Sequence, residues 1–365
     1  MLDTQTSPAT RYQNAKSMNA IAMDEFPEIG KVVEKLRKIE TMVPRPRPDE
    51  VAIELKASSM HVDEIYAAQG TSLGRFFGPK IVSEEKPYIM GSSVSGTIVG
   101  TGEKITKFAI GDDVIVIPHE TGEIGSWATY RCVAEDMVMA KPDVLNHTQA
   151  AAVTMASCVA WGAIEFGSVR PGDRCLVVGA SGAIGILMVQ ILKSLGAHVT
   201  GICSGKNAGF VRSKGADSVI DYTTQNFGDL PSRSFDRVFD VVGGRRIEQN
   251  AFNVLTPSGR FVTVVGPVCH VGERRLSWIE FLRIVGHVVR RYCATLFGGP
   301  RYIFSAKLPR SAIHGAMEHI VKHDITMPIE REIGFDLEQI KEAVVLLTSH
   351  RTKGRIVINF EKGQA

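Results

Sequence analysis

From Met18 to about Ala140, apolar residues fall in short alternating runs broken by glycine turns. "VAIELKAS" (Val51 to Ser58), "SGTIVGTG" (Ser95 to Gly102) and "GDDVIVI" (Gly111 to Ile117) predict the strands of a compact, barrel-like β domain. Near Ala150 the rhythm changes. "RCLVVGA" is a continuous apolar run suited to a buried parallel strand, "AIGILMVQILKSLG" predicts a helix ending at Gly196, and "AHVTGIC" predicts the next strand. "DSVIDY", "FDRVFDVV" and "GRFVTVVG" extend the alternation into an α/β, doubly wound parallel sheet. Beyond Phe304 the pattern thins to a helix over Arg310 to Lys322, a strand near Ile329, a helix over Leu337 to Ser349 and a last strand, "GRIVINF". Four blocks result: a polar, flexible extension over 1–17, a β domain over 18–150, a parallel α/β domain over 151–304, and a closing block over 305–365 that rejoins the β domain.

A chain of 365 residues with 44% hydrophobic content is long enough for two packed domains. The net charge of +3 is too small for binding driven by broad attraction to nucleic acid. Six scattered cysteines without a CxxC pair argue against a disulfide framework or a zinc knot and favour a reducing, cytoplasmic setting. No uninterrupted apolar run reaches bilayer length. Trp278 to Phe297 comes nearest, but Glu280, Arg283, His287, Arg290 and Arg291 make it a basic amphipathic helix. Such a helix suits a surface or interface role, with a membrane-surface role as the alternative. The first residues lack the apolar core of a secretion signal, while Arg11 and Lys16 leave organelle targeting open.

The strongest local signal is "CLVVGASGAIGILMVQ", which sets Gly179, Ala180, Ser181, Gly182, Ala183, Ile184 and Gly185 between a buried strand and a helix. Glycine there permits positive φ, close approach of backbone to a pyrophosphate, and tight packing of helix on strand. The helix N-terminus then offers amides and a positive dipole end to the phosphates. The second strand ends "GICSGKN" without the acid that would bind an NAD ribose, and Ser204 and Lys206 are placed to meet a 2'-phosphate. NADPH is therefore the expected cofactor. Tyr222, after the third strand, is a candidate to cover the adenine or bond that phosphate.

Several of these segments together resemble the medium-chain dehydrogenase/reductase superfamily, in its zinc-free quinone oxidoreductase and enone or enoyl reductase branch. The resemblance rests on "MGSSVSGTIVGTGEKITKFAIGDDVIV", "PGDRCLVVGASGAIGILMVQILKSLGAHVTGICS", "KGADSVIDY" and "KGRIVINF". It implies a GroES-like β-barrel catalytic domain made from the first and last blocks, a Rossmann domain between them, a small-molecule substrate and a homodimer joined through Rossmann edge strands. Where zinc-dependent members carry a Cys and a His-Glu pair, this chain has His61, Ser92 and Ser93, so no metal site is expected. The branch usually has an Asn at the position of His61 and a Tyr at that of Tyr66, which makes these two the candidate catalytic residues. Val159 stands where a Thr near the nicotinamide is usual. In "GSWATY", Ser126 and Trp127 are expected to line the substrate pocket. Gly266 and Pro267 are expected over the nicotinamide, and Val242 and Arg355 complete the expected cofactor contacts. The implied activity is hydride transfer from NADPH to an activated alkene or a quinone. Two alternatives stay open: an NADPH-dependent carbonyl reductase or alcohol dehydrogenase, and an NADPH-binding scaffold without turnover.

Overall fold

The computed structural model describes residues 6–71, 81–116, 125–268, 275–305 and 310–362. The chain opens with α1 (Pro8–Asn14), β1 (Ser17–Met23), α2 (Val32–Lys35), β2 (Arg37–Met42) and β3 (Glu50–Ser59). After α3 (Val62–Ala68) come β4 (Tyr88–Ile89), β5 (Ser93–Thr101), β6 (Asp113–Val116), β7 (Tyr130–Ala134) and β8 (Val138–Ala140). The middle of the chain runs α4 (His147–Gly167), β9 (Arg174–Val178), α5 (Ala183–Ser194), β10 (His198–Cys203), α6 (Ala208–Ser213), β11 (Ser218–Asp221), β12 (Phe235–Asp240), α7 (Arg245–Val254) and β13 (Leu255–Thr263). It closes with α8 (Trp278–Thr295), β14 (Arg301–Phe304), α9 (Arg310–Lys322), β15 (Ile329–Gly334), α10 (Leu337–Thr348) and β16 (Arg355–Asn359). The predicted strand to Ile117 is seen as far as Val116; Ile117 lies outside the described residues.

The chain divides into two compact units, the first drawn from Met1–Met155 and Ile329–Ala365 and the second from Ala156–Val271 and Leu276–Pro328. In the first unit a mixed sheet runs β15-β16-β3-β5-β6-β8, with β7 also paired to β3, and a smaller sheet runs β2-β1-β4. β3 has neighbours on every side, so its alternation gives way to near-continuous burial from Val51 to Leu55. Ile53, Leu55, Ile98, Val114, Trp127 and Ile356 belong to the apolar core of this unit. The expected loose extension is not what the residues from Ser7 onward form. Ser7 caps α1, and Tyr12 is buried in a cluster with Val43, Ala52, Val99 and Tyr130. Its hydroxyl donates to the Pro44 carbonyl at 2.7 Å, and a Cβ on Gly100 would come within 2.9 Å of its ring. One aromatic in a polar run carries no periodic signal, so its anchoring could not be read from the pattern.

The second unit is a six-stranded parallel sheet in the order β11-β10-β9-β12-β13-β14. Counted within the unit this is 3-2-1-4-5-6, the dinucleotide-binding order, with the reversal beside β9. The unit extends beyond the expected boundary at 304, because 310–328 pack with it. A Cβ on Gly315 would meet the Trp161 indole at 3.0 Å, His319 stacks on that indole at 4.7 Å and bonds Ser194 Oγ at 2.7 Å, and Gln190 holds the Thr326 carbonyl. α4 is long and apolar enough to cross a membrane, but 72% of its apolar window is buried within the protein, as a core helix requires.

Candidate active site

In the second unit the turn from β9 to α5 is made by backbone. Gly179 sits at φ +85°, where a Cβ would press on Val241 and Val242 at 2.8 Å. A Cβ on Gly185 would stand 2.2 Å from the Gly179 carbonyl oxygen. Ala180 is buried, while Ser181, Gly182, Ala183 and Ile184 remain partly open. Gly182 caps α5 without any side-chain acceptor, so the first amides of the helix are left for a ligand. These are the features a bound pyrophosphate needs, and the residues present fit it.

Ser204 leads from β10 into a short turn in which Lys206 is exposed. Two residues not singled out in the sequence shape this corner. Asn207 is buried and donates to Ser181 Oγ at 3.2 Å, tying the turn to the phosphate loop, and its Oδ1 has no partner. Asp221, at the end of β11, accepts from the Thr223 amide at 2.9 Å and hydroxyl at 2.7 Å, bonds that hold its carboxyl below the usual range. Tyr222 follows it, 64% exposed.

The ends of β12 and β13 are joined by a second buried arrangement. Asp240 Oδ1 accepts from the Val242 and Gly243 amides at 2.9 Å, and Thr263 Oγ1 donates to its Oδ2 at 2.8 Å. Thr263 Oγ1 in turn accepts from the Gly266 amide at 2.9 Å, and Gly244 N–H bonds the Gly266 carbonyl. Val242, Gly266 and Pro267 are thus fixed at the carboxyl ends of parallel strands, where this fold places ligands. Asp240 and Thr263 were missed because their partnership spans 23 residues and no motif spacing marks it.

The first unit gathers a different set. His61 is 2% exposed at the start of α3, its Nε2 without a partner. Burial, helped by the nearby Arg355 charge, holds its imidazole well below the usual range, so the ring is neutral. Glu64 accepts from Ser92 Oγ at 2.5 Å and from the His61 amide at 3.4 Å; burial, then the Asp63 charge, push its carboxyl up to about 8. Ser93 Oγ donates to the Ala151 carbonyl at 2.9 Å. Among the described residues no group of three metal-ligating side chains gathers. Tyr66, partly exposed on the same helix, has its hydroxyl 2.9 Å from His350 Nε2. His350 adopts φ +56°, an uncommon conformation for a residue with a side chain.

Three expected contacts are relocated. Arg355 is not an open cofactor ligand: it is buried in β16, where Asp63 and Glu64 favour its charge and burial opposes it. Trp127 is not a pocket wall: it is fully buried in the barrel core, against Gly91. Ser126 is buried as well, its hydroxyl 2.8 Å from that of Ser58. An aromatic among small residues reads the same in sequence whether it faces a core or a cavity.

With this geometry in place, comparison with known proteins fixes the class. Residues 47–143 match the alcohol dehydrogenase GroES-like domain and residues 214–358 match the zinc-binding dehydrogenase family. The chain belongs to the medium-chain dehydrogenase/reductase superfamily, in its zinc-free, quinone oxidoreductase-like branch. It is 31% identical over 331 residues to the mitochondrial NAD(P)H oxidoreductase RTN4IP1 of Mus musculus, covering 86% of this chain and 82% of that one. It is 31% identical over 239 residues to the 2-methylene-furan-3-one reductase of Solanum lycopersicum, covering 64% and 59%. In fold it matches the quinone oxidoreductase of Coxiella burnetii with a TM-score of 0.77 at 23% identity, over 94% of this chain and 99% of that one.

Proposed function

We propose that this chain is an NADPH-dependent, zinc-independent reductase that reduces an activated alkene, such as an enone or enoyl compound, or a quinone. The observation that carries the reading is the phosphate loop Gly179–Gly185 with its uncapped helix end, followed at the close of the second strand by Ser204 and Lys206 in place of an acid. NADPH held there supplies the hydride. Lys206 meets the 2'-phosphate as a charge-assisted donor. Asp240 and Thr263 hold the Val242 and Gly266 turns so that their backbone faces the nicotinamide end, with Pro267 stiffening the second turn.

Tyr66 is the proposed donor to the oxygen that gains charge when hydride arrives at the alkene or quinone, and His350 fixes the direction of its hydroxyl. His61, neutral and with an unpaired Nε2, is a second donor. Among the described residues no side-chain set gathers to hold a Lewis-acidic metal, and the positions of the family's ligand pair are filled by serines whose hydroxyls are engaged by Glu64 and the Ala151 carbonyl. An electron-poor alkene or a quinone needs less polarisation than a simple ketone, which favours those substrates. The names of the relatives, a furanone reductase and a quinone oxidoreductase, support the same class.

The test is anaerobic mixing with NADPH and a panel of quinones, enones, enoyl thioesters and aldehydes, followed at the reduced-nicotinamide absorbance. Turnover of enones or quinones without aldehydes is expected. Turnover of aldehydes alone would make the protein a carbonyl reductase, and tight NADPH binding without any oxidation would make it a binding protein.

A further inference from the structure

Tyr66 and His350 meet across 284 positions of sequence, and backbone holds both sides of the meeting. Tyr66 lies in α3, whose two ends are tied down. At its start Glu64 accepts from the His61 amide, and at its finish the Thr71 amide and hydroxyl both donate to the Tyr66 carbonyl, at 2.9 and 3.1 Å. His350 stands in the turn that ends α10, directly after Ser349, and α10 packs on α3. A helix commonly puts glycine at that place, because the left-handed conformation crowds a β-carbon. His350 adopts it nonetheless, at φ +56°, with its Nε2 2.9 Å from the Tyr66 hydroxyl. A glycine would relieve the strain, so the imidazole that stays is the feature to explain.

The pair also runs outward. Tyr66 is partly exposed and His350 is exposed, so water reaches the ring that touches the phenol. Imidazole can carry a proton on either nitrogen near neutral pH, and a ring placed between a phenol and water can pass a proton from one to the other. An amide side chain would orient the hydroxyl as well but could not pass a proton.

We propose that His350 is the proton supply of Tyr66 and returns to the phenol the proton that Tyr66 gives to the substrate. The inference rests on Tyr66 being the donor proposed above. When hydride reaches the β-carbon of an enone, the electron pair of the alkene shifts and the carbonyl oxygen becomes an enolate oxygen, which takes the proton of Tyr66 Oη. The Nε2 proton of His350 passes to the tyrosinate as Nδ1 takes one from water, leaving hydroxide in the solvent. The ring is neutral before and after, and exchange with solvent restores its first tautomer. The alkene is reduced by two electrons, the nicotinamide is oxidised by two, and the proton consumed comes from water. His350 touches neither substrate nor cofactor in this scheme; it positions Tyr66 and reprotonates it.

The test uses the full chain with NADPH and the best substrate of the panel. His350→Gly suits φ +56° without strain, so it should melt at or above the wild-type temperature and bind NADPH as the wild type does. Loss of acid–base help costs about a hundredfold or more, and water at the phenol recovers part of it, so kcat should fall on the order of tenfold with little change in KM. Added imidazole should restore much of kcat in His350→Gly and change neither the wild type nor Tyr66→Phe. His350→Gln, which can still bond the hydroxyl but cannot relay a proton, should stay as slow as the glycine variant. In the ligand-free chain, ring-nitrogen NMR should show the His350 Nε2 signal moving in Tyr66→Phe, a readout independent of turnover. Wild-type kcat in His350→Gln, or a slow His350→Gly that imidazole does not rescue, would reduce His350 to a prop for the hydroxyl and overturn the proposal. An Nε2 signal indifferent to Tyr66→Phe would overturn it as well, since the two side chains would not be paired. If Tyr66→Phe is slow and His350→Gly is not, the relay falls and the donor stands, whereas wild-type rates in both remove the donor and the relay with it.

Discussion

The phosphate loop and the polar cluster around α3 are both proposed to serve one reaction, yet they are built from opposite materials. The loop is backbone: Gly179 and Gly185 work by what they lack, and the groups they present are amides of consecutive residues. The cluster is side chain: buried His61, Glu64 and Arg355, with Ser92 half-buried and Asp63 exposed beside them, come from distant parts of the chain and meet by charge and hydrogen bonds. A backbone site tolerates changes in side chains around it but not an added methyl. A side-chain site tolerates small movements but not the loss of one charge, since the partner is left buried and unpaired.

The sharpest way to break that contrast is Gly185→Ala. Its Cβ would overlap the Gly179 carbonyl oxygen, and a backbone atom cannot turn aside as a flexible side chain can. Overpacking costs about 1–3 kcal/mol, and the shift it forces also misdirects the amides. NADPH affinity should fall on the order of a hundredfold or more, measured by titration of protein fluorescence. Wild-type affinity would show that the loop is held by something other than close packing.

Tyr66→Phe probes the side-chain half. A donor that matters mainly as charge develops should lower kcat on the order of a hundredfold with little change in KM. If His61 shares the oxygen, Tyr66→Phe with His61→Ala falls further than either alone, with energies that do not add. Wild-type kcat in the single and double variants would move the donor role to backbone or water.

Lys206→Ala lies between the two halves, a side chain at a backbone site. Loss of one charge-assisted hydrogen bond is worth about 1.5–3 kcal/mol, so NADPH binding should weaken about tenfold to a hundredfold while NADH binding hardly changes. Equal losses for both cofactors would assign Lys206 to the turn and not to the phosphate.

The same contrast explains what could be read from the sequence. The loop, its flanking strand and helix, and the parallel sheet were legible because their causes are local: spacing, periodicity and glycine within 30 residues. The cluster was half legible. Tyr66 and His61 stand in a recognisable run, but Arg355 lies 294 positions from His61, and nothing near it announces that it is buried within the field of Glu64 and Asp63. Trp127 fails in the same way, whereas the amphipathic surface helix expected over Trp278 to Phe297 is present as α8. Amphipathic spacing tells which residues of Trp278–Thr295 share a face, and only Glu248, from another helix, settles that the apolar face points outward.

The smallest effect tests the cluster's electrostatics through stability. Burial and the neighbouring Asp63 charge raise the Glu64 carboxyl from 4.5 to about 8, so the folded protein keeps it protonated where the unfolded chain releases the proton. Its contribution to stability is therefore whole below about pH 4.5 and is lost progressively as pH rises toward 8, because unfolding then releases a proton. Glu64→Gln keeps an acceptor for the His61 amide, turns a donor toward Ser92 Oγ, whose hydroxyl can accept, and has nothing to titrate. The variant should thus melt near the wild-type temperature at pH 5 and gain on it by a few degrees, about 2–4 °C per kcal/mol, as pH approaches 9. Melting curves that fall in parallel from pH 5 to 9 would mean that Glu64 is already ionised in the folded protein, balanced by Arg355, and that the cluster is an ion pair and not a store for a proton.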